Sequence, residues 1–427
     1  MSGSLAVVAG LFTFLCAITL KLNIVFMRLV SLLMVLCCLV PQFSFAQSKP
    51  ISRKIVQPLI IVNKYAATDS AALQIPDSLT HSPAAIASYI SSHFTNDSTK
   101  ARAAFIWIGN NIRYDLANMF ALNHYESEEE KIAKVMQTKQ GICEHYALLF
   151  REIGRKLGLK IYLVEGYTRQ RGFVDYLPHV WCAIFINNQW RLIDPTWGSG
   201  YTMNGKFVQA INNTYFLTTG EGLIKSHMPF DYMWQLMTYP VTSEAFHTGN
   251  VKADPTRSVF NYPDSIAAFE KMDTTSYYVN VIRRIESNGL NNSLIFNHLQ
   301  YLRHQISSIN VEHYNNALLP YNKAVTGFNQ YIDLYNRQFQ PAMPDSAIQV
   351  IITQCSNRLR QASALLDKIS NADANTKEST ANLRQQIETL EKNIERQQAW
   401  LDKYFSKGKL GRRSMFTKFT WFGIPLN

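Results

Sequence analysis

The stretch Gly141-Ile142-Cys143-Glu144-His145-Tyr146-Ala147 decides how this chain is read. Gln140-Gly141 interrupts a short helical patch over Ile132 to Met136, and Cys143 follows at once. Beyond it, Ala147, Leu148, Phe150, Ile153 and Leu157 recur at helical spacing up to Gly158, where a glycine after the last apolar turn ends a helix. Cys143 is therefore expected in the first turn of a helix. Unpaired N–H groups and the positive end of the dipole favour a thiolate there, and the same N–H groups suit an oxyanion.

Three strand-like runs come next: Lys160 to Gly166, His179 to Asn187 and Gln189 to Asp194, with Asn187-Asn188 as the turn between the last two. On this reading His179 opens a strand and Asp194 closes its hairpin partner, so imidazole and carboxylate face the cysteine helix side by side. A thiol needs those two groups, a base to reach the sulfur and a third residue to fix the base's tautomer. Alternation puts His179 and Trp181 on one face and Val180 and Cys182 on the other. Cys182 thus reads as a packed sheet cysteine, with a disulfide to Cys355 as the alternative. His145, two residues past the nucleophile, is turned about 200° away on a helix and reads as a surface histidine. Trp181 and Trp197 are candidate walls of a substrate cleft, with core packing as the competing role.

With its neighbours Val164-Glu165-Gly166-Tyr167, His179-Val180-Trp181 and Trp190 through Gly198, this pattern resembles the transglutaminase-like superfamily. Flanking segments extend it: Ile106-Trp107 through Ile112-Arg113-Tyr114-Asp115 upstream, and Tyr215-Phe216-Leu217 through His227, Pro229 and Trp234-Gln235-Leu236 downstream. Those flanks look most like the kyphoscoliosis-peptidase branch. The resemblance covers about residues 95–245. It implies an α+β, papain-like cysteine-hydrolase core with a helix packed on an antiparallel sheet, and it carries the catalytic roles to Cys143, His179 and Asp194.

The 427 residues exceed what one core usually organises, and 47% hydrophobic against 17% charged residues marks a globular chain. Residues 1–46 read as a targeting segment, a signal peptide starting at Met27-Arg28 and cleaved after Ala46, with Met27 as an alternative start; an exported protein is expected. Its removal leaves 40 basic against 31 acidic side chains, spread along the chain, so no specific nucleic-acid partner is expected. It also leaves three cysteines, Cys143, Cys182 and Cys355, too few for a disulfide scaffold. Residues 47–94 are expected as a linker and helical lead-in, and 95–249 as the enzyme domain. Thr99 to Arg113 has a helical stripe of Ala103, Ile106, Trp107 and Asn110.

From 250 to 406 long helical patterns take over, and three stripes predict an antiparallel bundle. They are Leu318, Tyr321, Val325, Phe328, Ile332, Tyr335 and Phe339; then Ile348, Ile352, Cys355, Leu359, Ala362, Leu366 and Ile369; then Leu383, Ile387, Leu390, Ile394, Leu401 and Tyr404. Gln397 interrupts the third. In the tail, 407–427, Lys407, Lys409, Arg412, Arg413 and Lys418 alternate with Phe416, Phe419, Trp421 and Phe422. That suits an anionic membrane or cell-wall polymer, the alternative being a tail folded back on the enzyme domain.

Zinc-binding spacings, phosphate-cradling glycine loops and acidic calcium loops are missing from the sequence, so neither metal nor cofactor is expected. The leading expectation is thiol acyl chemistry on a peptide or protein amide, with hydrolysis favoured over cross-linking. An inactive, scaffolding version of the domain is the competing one.

Overall fold

A computed structural model describes residues 63–120, 126–416, 420–421 and 424–425. The expected targeting segment, 1–46, lies outside the described residues. So does the linker as far as Val62.

Helices α1 (Ala66–Ala72), α2 (Pro83–His93) and α3 (Asp97–Asn111) open the domain. Ser82 caps α2 with Pro83 at its first position, and Asn96 caps α3. Ala101 to Gly109 of α3 is buried on every side, so the expected one-sided stripe is only part of its packing; Asn110, counted in that stripe, is exposed. Even Arg102 is buried, held by Asp69 through bonds of 2.7 and 2.8 Å.

A two-residue strand β1 (Arg113–Tyr114) pairs in parallel with β2 (Gln140–Gly141), after the intervening helix α4 (Glu128–Thr138). This pairing sets Tyr114 beside the start of α5 (Cys143–Lys156). Gly158, at φ +79°, ends that helical segment as expected.

Strands β3 (Lys160–Gln170), β4 (Phe173–Ile186), β5 (Gln189–Ile193) and β8 (His227–Pro229) form an antiparallel sheet in the order β5-β4-β3-β8, while β6 (Gly200–Met203) and β7 (Lys206–Gln209) pair as a separate hairpin. Asn187 and Asn188, both left-handed, close β4 to β5, as their sequence predicts. The β3–β4 hairpin is longer than expected. It runs on to a second left-handed pair, Arg171-Gly172, so His179 lies inside β4 opposite Gly166 and does not open it.

Both faces of this sheet are covered. Tyr146, Ala147, Leu149, Phe150 and Ile153 of α5 pack with Ile161, Cys182, Ile184 and Ile193 on one side. Each such apolar side chain contributes roughly 1.5–3 kcal/mol when fully buried. On the other side Val164, Trp181, Ala183 and Trp190 meet Leu223, Met233, Trp234 and Ile266. A β-carbon on Gly166 would come within 2.1 Å of the Met228 carbonyl oxygen and 2.6 Å of the Trp181 ring, so only glycine lets β8 and Trp181 close together.

The compositional change near residue 250 does not interrupt the core. Helices α6 (Tyr262–Phe269), α7 (Thr274–Asn288) and the first turns of α8 (Ser293–Asn336) pack back on the sheet. Val281, Ile285, Ile295, Leu299 and Leu302 share one cluster with Tyr167, Met228 and Phe230. The bundle proper consists of the rest of α8, α9 (Asp345–Leu366) and α10 (Ala374–Phe405).

The α9 and α10 stripes are buried as predicted, Cys355 with them, except that Ile369 lies past the end of α9 and is half-buried. On α8 the deepest residues are instead Ala317, Pro320, Ala324, Gly327 and Tyr331, with Leu318, Tyr321, Val325, Phe328 and Ile332 on their flanks. Small residues permit close approach here: a β-carbon on Gly327 would lie 2.9 Å from the Cys355 sulfur. Cys182 and Cys355 are both free and sit in different clusters, which removes the disulfide alternative.

The described part of the tail forms a short helix, α11 (Lys409–Ser414), and Met415 and Phe416 after it pack on the bundle. Arg412 pairs with Asp345 through bonds of 2.7 and 2.5 Å, and the Phe416 ring lies 5.1 Å from Trp400 and 5.5 Å from Tyr335. The side chains of Lys418, Phe419, Trp421 and Phe422 lie outside the described residues. Among the described residues no helix is long and apolar enough to cross a membrane.

Candidate active site

Cys143 is the first residue of α5 and is 8% exposed. Ile142, just before it, is extended, and its N–H donates to His145 Nδ1 at 3.1 Å. His145 is thus a half-buried brace of the helix start, not the surface histidine expected. The N–H groups of the first turn have no partner within the helix.

His179 is brought to the same place by β4. Its Nε2 donates to Asp194 Oδ2 at 2.8 Å, and its ring is in side-chain contact with Cys143. With Nε2 committed to the carboxylate, Nδ1 is the nitrogen available to the sulfur. Cys143 and His179 line one cavity of about 200 Å³.

Asp194 is fully buried and uses both oxygens. Oδ1 accepts the backbone N–H groups of Thr196 at 2.7 Å and Trp197 at 3.1 Å. Oδ2 accepts from His179 and also from Nε2 of His227, at 2.9 Å. His227 is itself buried, its Nδ1 2.8 Å from the Ser226 hydroxyl and its ring 4.5 Å from that of Trp197.

The electrostatics divide the two histidines. Burial pulls the His179 imidazole down, but the Asp194 charge and hydrogen bond, with help from Cys143, lift it to about 10. His227 is held below its ordinary value because burial outweighs Asp194, so it remains a neutral donor. Burial alone would raise the Asp194 carboxyl, yet the histidines hold it well below the usual carboxylate range.

Among the described residues His179, Asp194 and His227 also form a group able to hold a metal ion. Both imidazoles, however, already bond to one oxygen of a carboxylate whose other oxygen serves two amides. A cation there would have to break those bonds, in a spot with no solvent access, so the donor set fits a hydrogen-bonded network better than a coordination sphere.

A second cavity of about 290 Å³ adjoins the first, sharing Tyr114, Met119, Gln170, His179 and Trp197 as walls. Trp197 therefore lines the cleft, as one of its two expected roles requires. Trp181 does not: it is fully buried behind His179, ring centroids 6.0 Å apart, and belongs to the core. Cys182 is buried on the opposite face, its thiol 3.6 Å from the Ala147 carbonyl and pushed up by burial. Two site residues were missed from sequence. His227 stood only among the flanking resemblances, and Tyr114, whose phenol burial and the nearby Cys143 keep protonated, lines both cavities.

A helix that starts on a cysteine, packed on an antiparallel sheet that brings a His–Asp pair to it, defines a class. Residues 84–195 match the family model of the transglutaminase-like superfamily, and this domain belongs to it. Within that superfamily it is similar to kyphoscoliosis peptidase, at 31% identity over 182 residues with the protein of Homo sapiens and over 183 residues with that of Mus musculus. Each alignment covers 38% of this chain and 27% of the relative, so the chain spans about a quarter of the length of those relatives. Among solved structures, the periplasmic domain of TgpA from Pseudomonas aeruginosa matches at 18% identity and a TM-score of 0.23, covering 31% of this chain and 47% of that one.

Proposed function

We propose that this protein is a cysteine hydrolase that cleaves peptide or protein amides through an acyl-enzyme, with Cys143 as nucleophile, His179 as base and acid, and Asp194 as the residue orienting it. The observation that carries the reading is the contact chain from Cys143 to His179 to the buried Asp194, at the start of a helix and in the wall of a cleft. In this mechanism the sulfur attacks the carbonyl carbon, and the oxyanion is received by the free N–H groups of α5, with the Tyr114 phenol on the same wall. His179 then gives its proton to the departing amine, and water, activated by the same imidazole, releases the acid. The targeting segment read in residues 1–46 adds an exported location to the proposal.

The test has two parts. Cys143 should be alkylated much faster than Cys182 or Cys355, and His179→Ala should abolish that advantage. Incubated with unfolded proteins and cell-wall peptides, the native protein should release new carboxyl ends while Cys143→Ala releases none. Equally slow labelling of the three cysteines would favour the scaffolding reading.

A further inference from the structure

The β3–β4 ladder breaks beside the site. Tyr167 pairs with Pro178 and Arg169 with Val174, so Thr168 on β3 faces three residues on β4: Asp175, Tyr176 and Leu177. Bulges of this kind re-aim side chains, and all three, with Thr168, line the cavity that holds Cys143.

Asp175 is the feature that needs a reason. Its Oδ2 accepts from the Thr168 hydroxyl and, at 3.1 Å, from the Gln170 amide. Bracing the bulge in this way requires an acceptor oxygen but no charge, and asparagine would serve equally. Yet the residue is a carboxylate. Among the described residues no lysine or arginine lies within ion-pair distance of it, and the cavity wall contains neither type. A half-buried carboxylate, fixed by neutral donors and with no ion-pair partner among the described residues, in a cavity whose other charged wall, the His179 imidazole, is already committed to Asp194, is complementary to a cationic guest. Tyr176, 77% exposed at the rim, and Leu177 offer apolar surface along which an alkyl stem would lie.

We infer that this cavity is a subsite for a positively charged group, and that the substrate is a peptide carrying an ammonium or guanidinium close to the amide that Cys143 attacks. The inference rests on Cys143 being the reactive thiol, and the experiment separates the two. The full chain is treated with ethyl, aminoethyl and sulfonatoethyl methanethiosulfonate, and modification of Cys143 is followed by mass spectrometry. Each rate is divided by that of the same reagent with a free thiol.

The expected order is cation over neutral over anion, with a cation-to-neutral ratio of about five to ten from one uncompensated charge nearby. Asp175→Asn, which keeps the brace, should bring that ratio close to one. Asp175→Glu should retain the preference, and it guards against a folding defect in the first variant. Equal ratios in the native protein and Asp175→Asn would overturn the subsite and leave Asp175 a brace. No reaction of Cys143 with any of the three reagents would overturn the nucleophile assignment, and the subsite with it.

Discussion

His227 Nε2 lies 2.9 Å from Asp194 Oδ2, the same oxygen that accepts from His179 at 2.8 Å. The carboxylate is thereby pinned from two sides, and its position does not depend on the histidine it orients. His227→Ala should leave a buried oxygen short of one donor, a cost of roughly 1–3 kcal/mol in stability, and should slow Cys143 alkylation by letting the His179 ring wander. His227→Gln retains an N–H donor and should recover most of both. Thermal melts and alkylation rates of the two variants check this; native behaviour of His227→Ala in both would remove His227 from the site.

The two histidines should leave opposite marks on stability against pH. Against the pull of burial, His179 is raised by Asp194 with help from Cys143. The folded chain then holds a proton that the unfolded chain sheds above about pH 6.5. Stability from this source is complete below that pH and lost as pH rises toward the folded value, by at most about 1.4 kcal/mol per pH unit. His227, depressed by burial, runs the other way: its contribution is present above about pH 6.5 and lost as pH falls. Denaturant titrations across pH 5 to 9 should show the alkaline slope vanish in His179→Gln and the acid slope shrink in His227→Gln.

In the bundle, the Tyr331 hydroxyl donates to Gln397 Oε1 at 3.1 Å, bridging α8 and α10. Gln397→Leu should destabilise by about 1–3 kcal/mol because it strands that hydroxyl, whereas Gln397→Leu combined with Tyr331→Phe should fall close to the native value. A double-mutant cycle by chemical denaturation measures the coupling. Additive effects would show that the bond contributes nothing.

Ending the chain at Phe405 removes the Arg412–Asp345 pair and the ring of Phe416 from its aromatic neighbours. A fall of about 1–3 °C in melting temperature is expected, since about 1–2 kcal/mol would be lost and each kcal/mol moves the midpoint of a chain this size by roughly 1–1.5 °C. An unchanged melt would leave the whole tail free for a surface partner. Binding to anionic vesicles, measured on the same pair of proteins, reads that role directly.

The parts legible in the sequence were those where one local rule acts alone. Asn187-Asn188 closes a hairpin because two left-handed residues are needed there, and the α9 and α10 stripes follow from helical spacing. The extension of β4 before His179 was hidden because Asp175 and Pro178 look like loop residues, while its stability comes from pairing with β3. His227 was hidden because its partner is 33 positions away in sequence and only β8 beside β3 brings them together. On α8, large apolar residues marked the flanks of the seam, whereas the contact itself is made by alanine and glycine, which carry little hydrophobic signal.

Helix α8 runs 44 residues without interruption, roughly 65 Å at 1.5 Å per residue. Its first turns press on Met228 and Phe230, the strand neighbours of His227, and its last turns are gripped by the bundle, with Pro320 between as the one interior residue lacking an N–H to donate. One continuous helix therefore ties the packing of the bundle to the backbone that carries His227 beside Asp194, with no loop between the two ends.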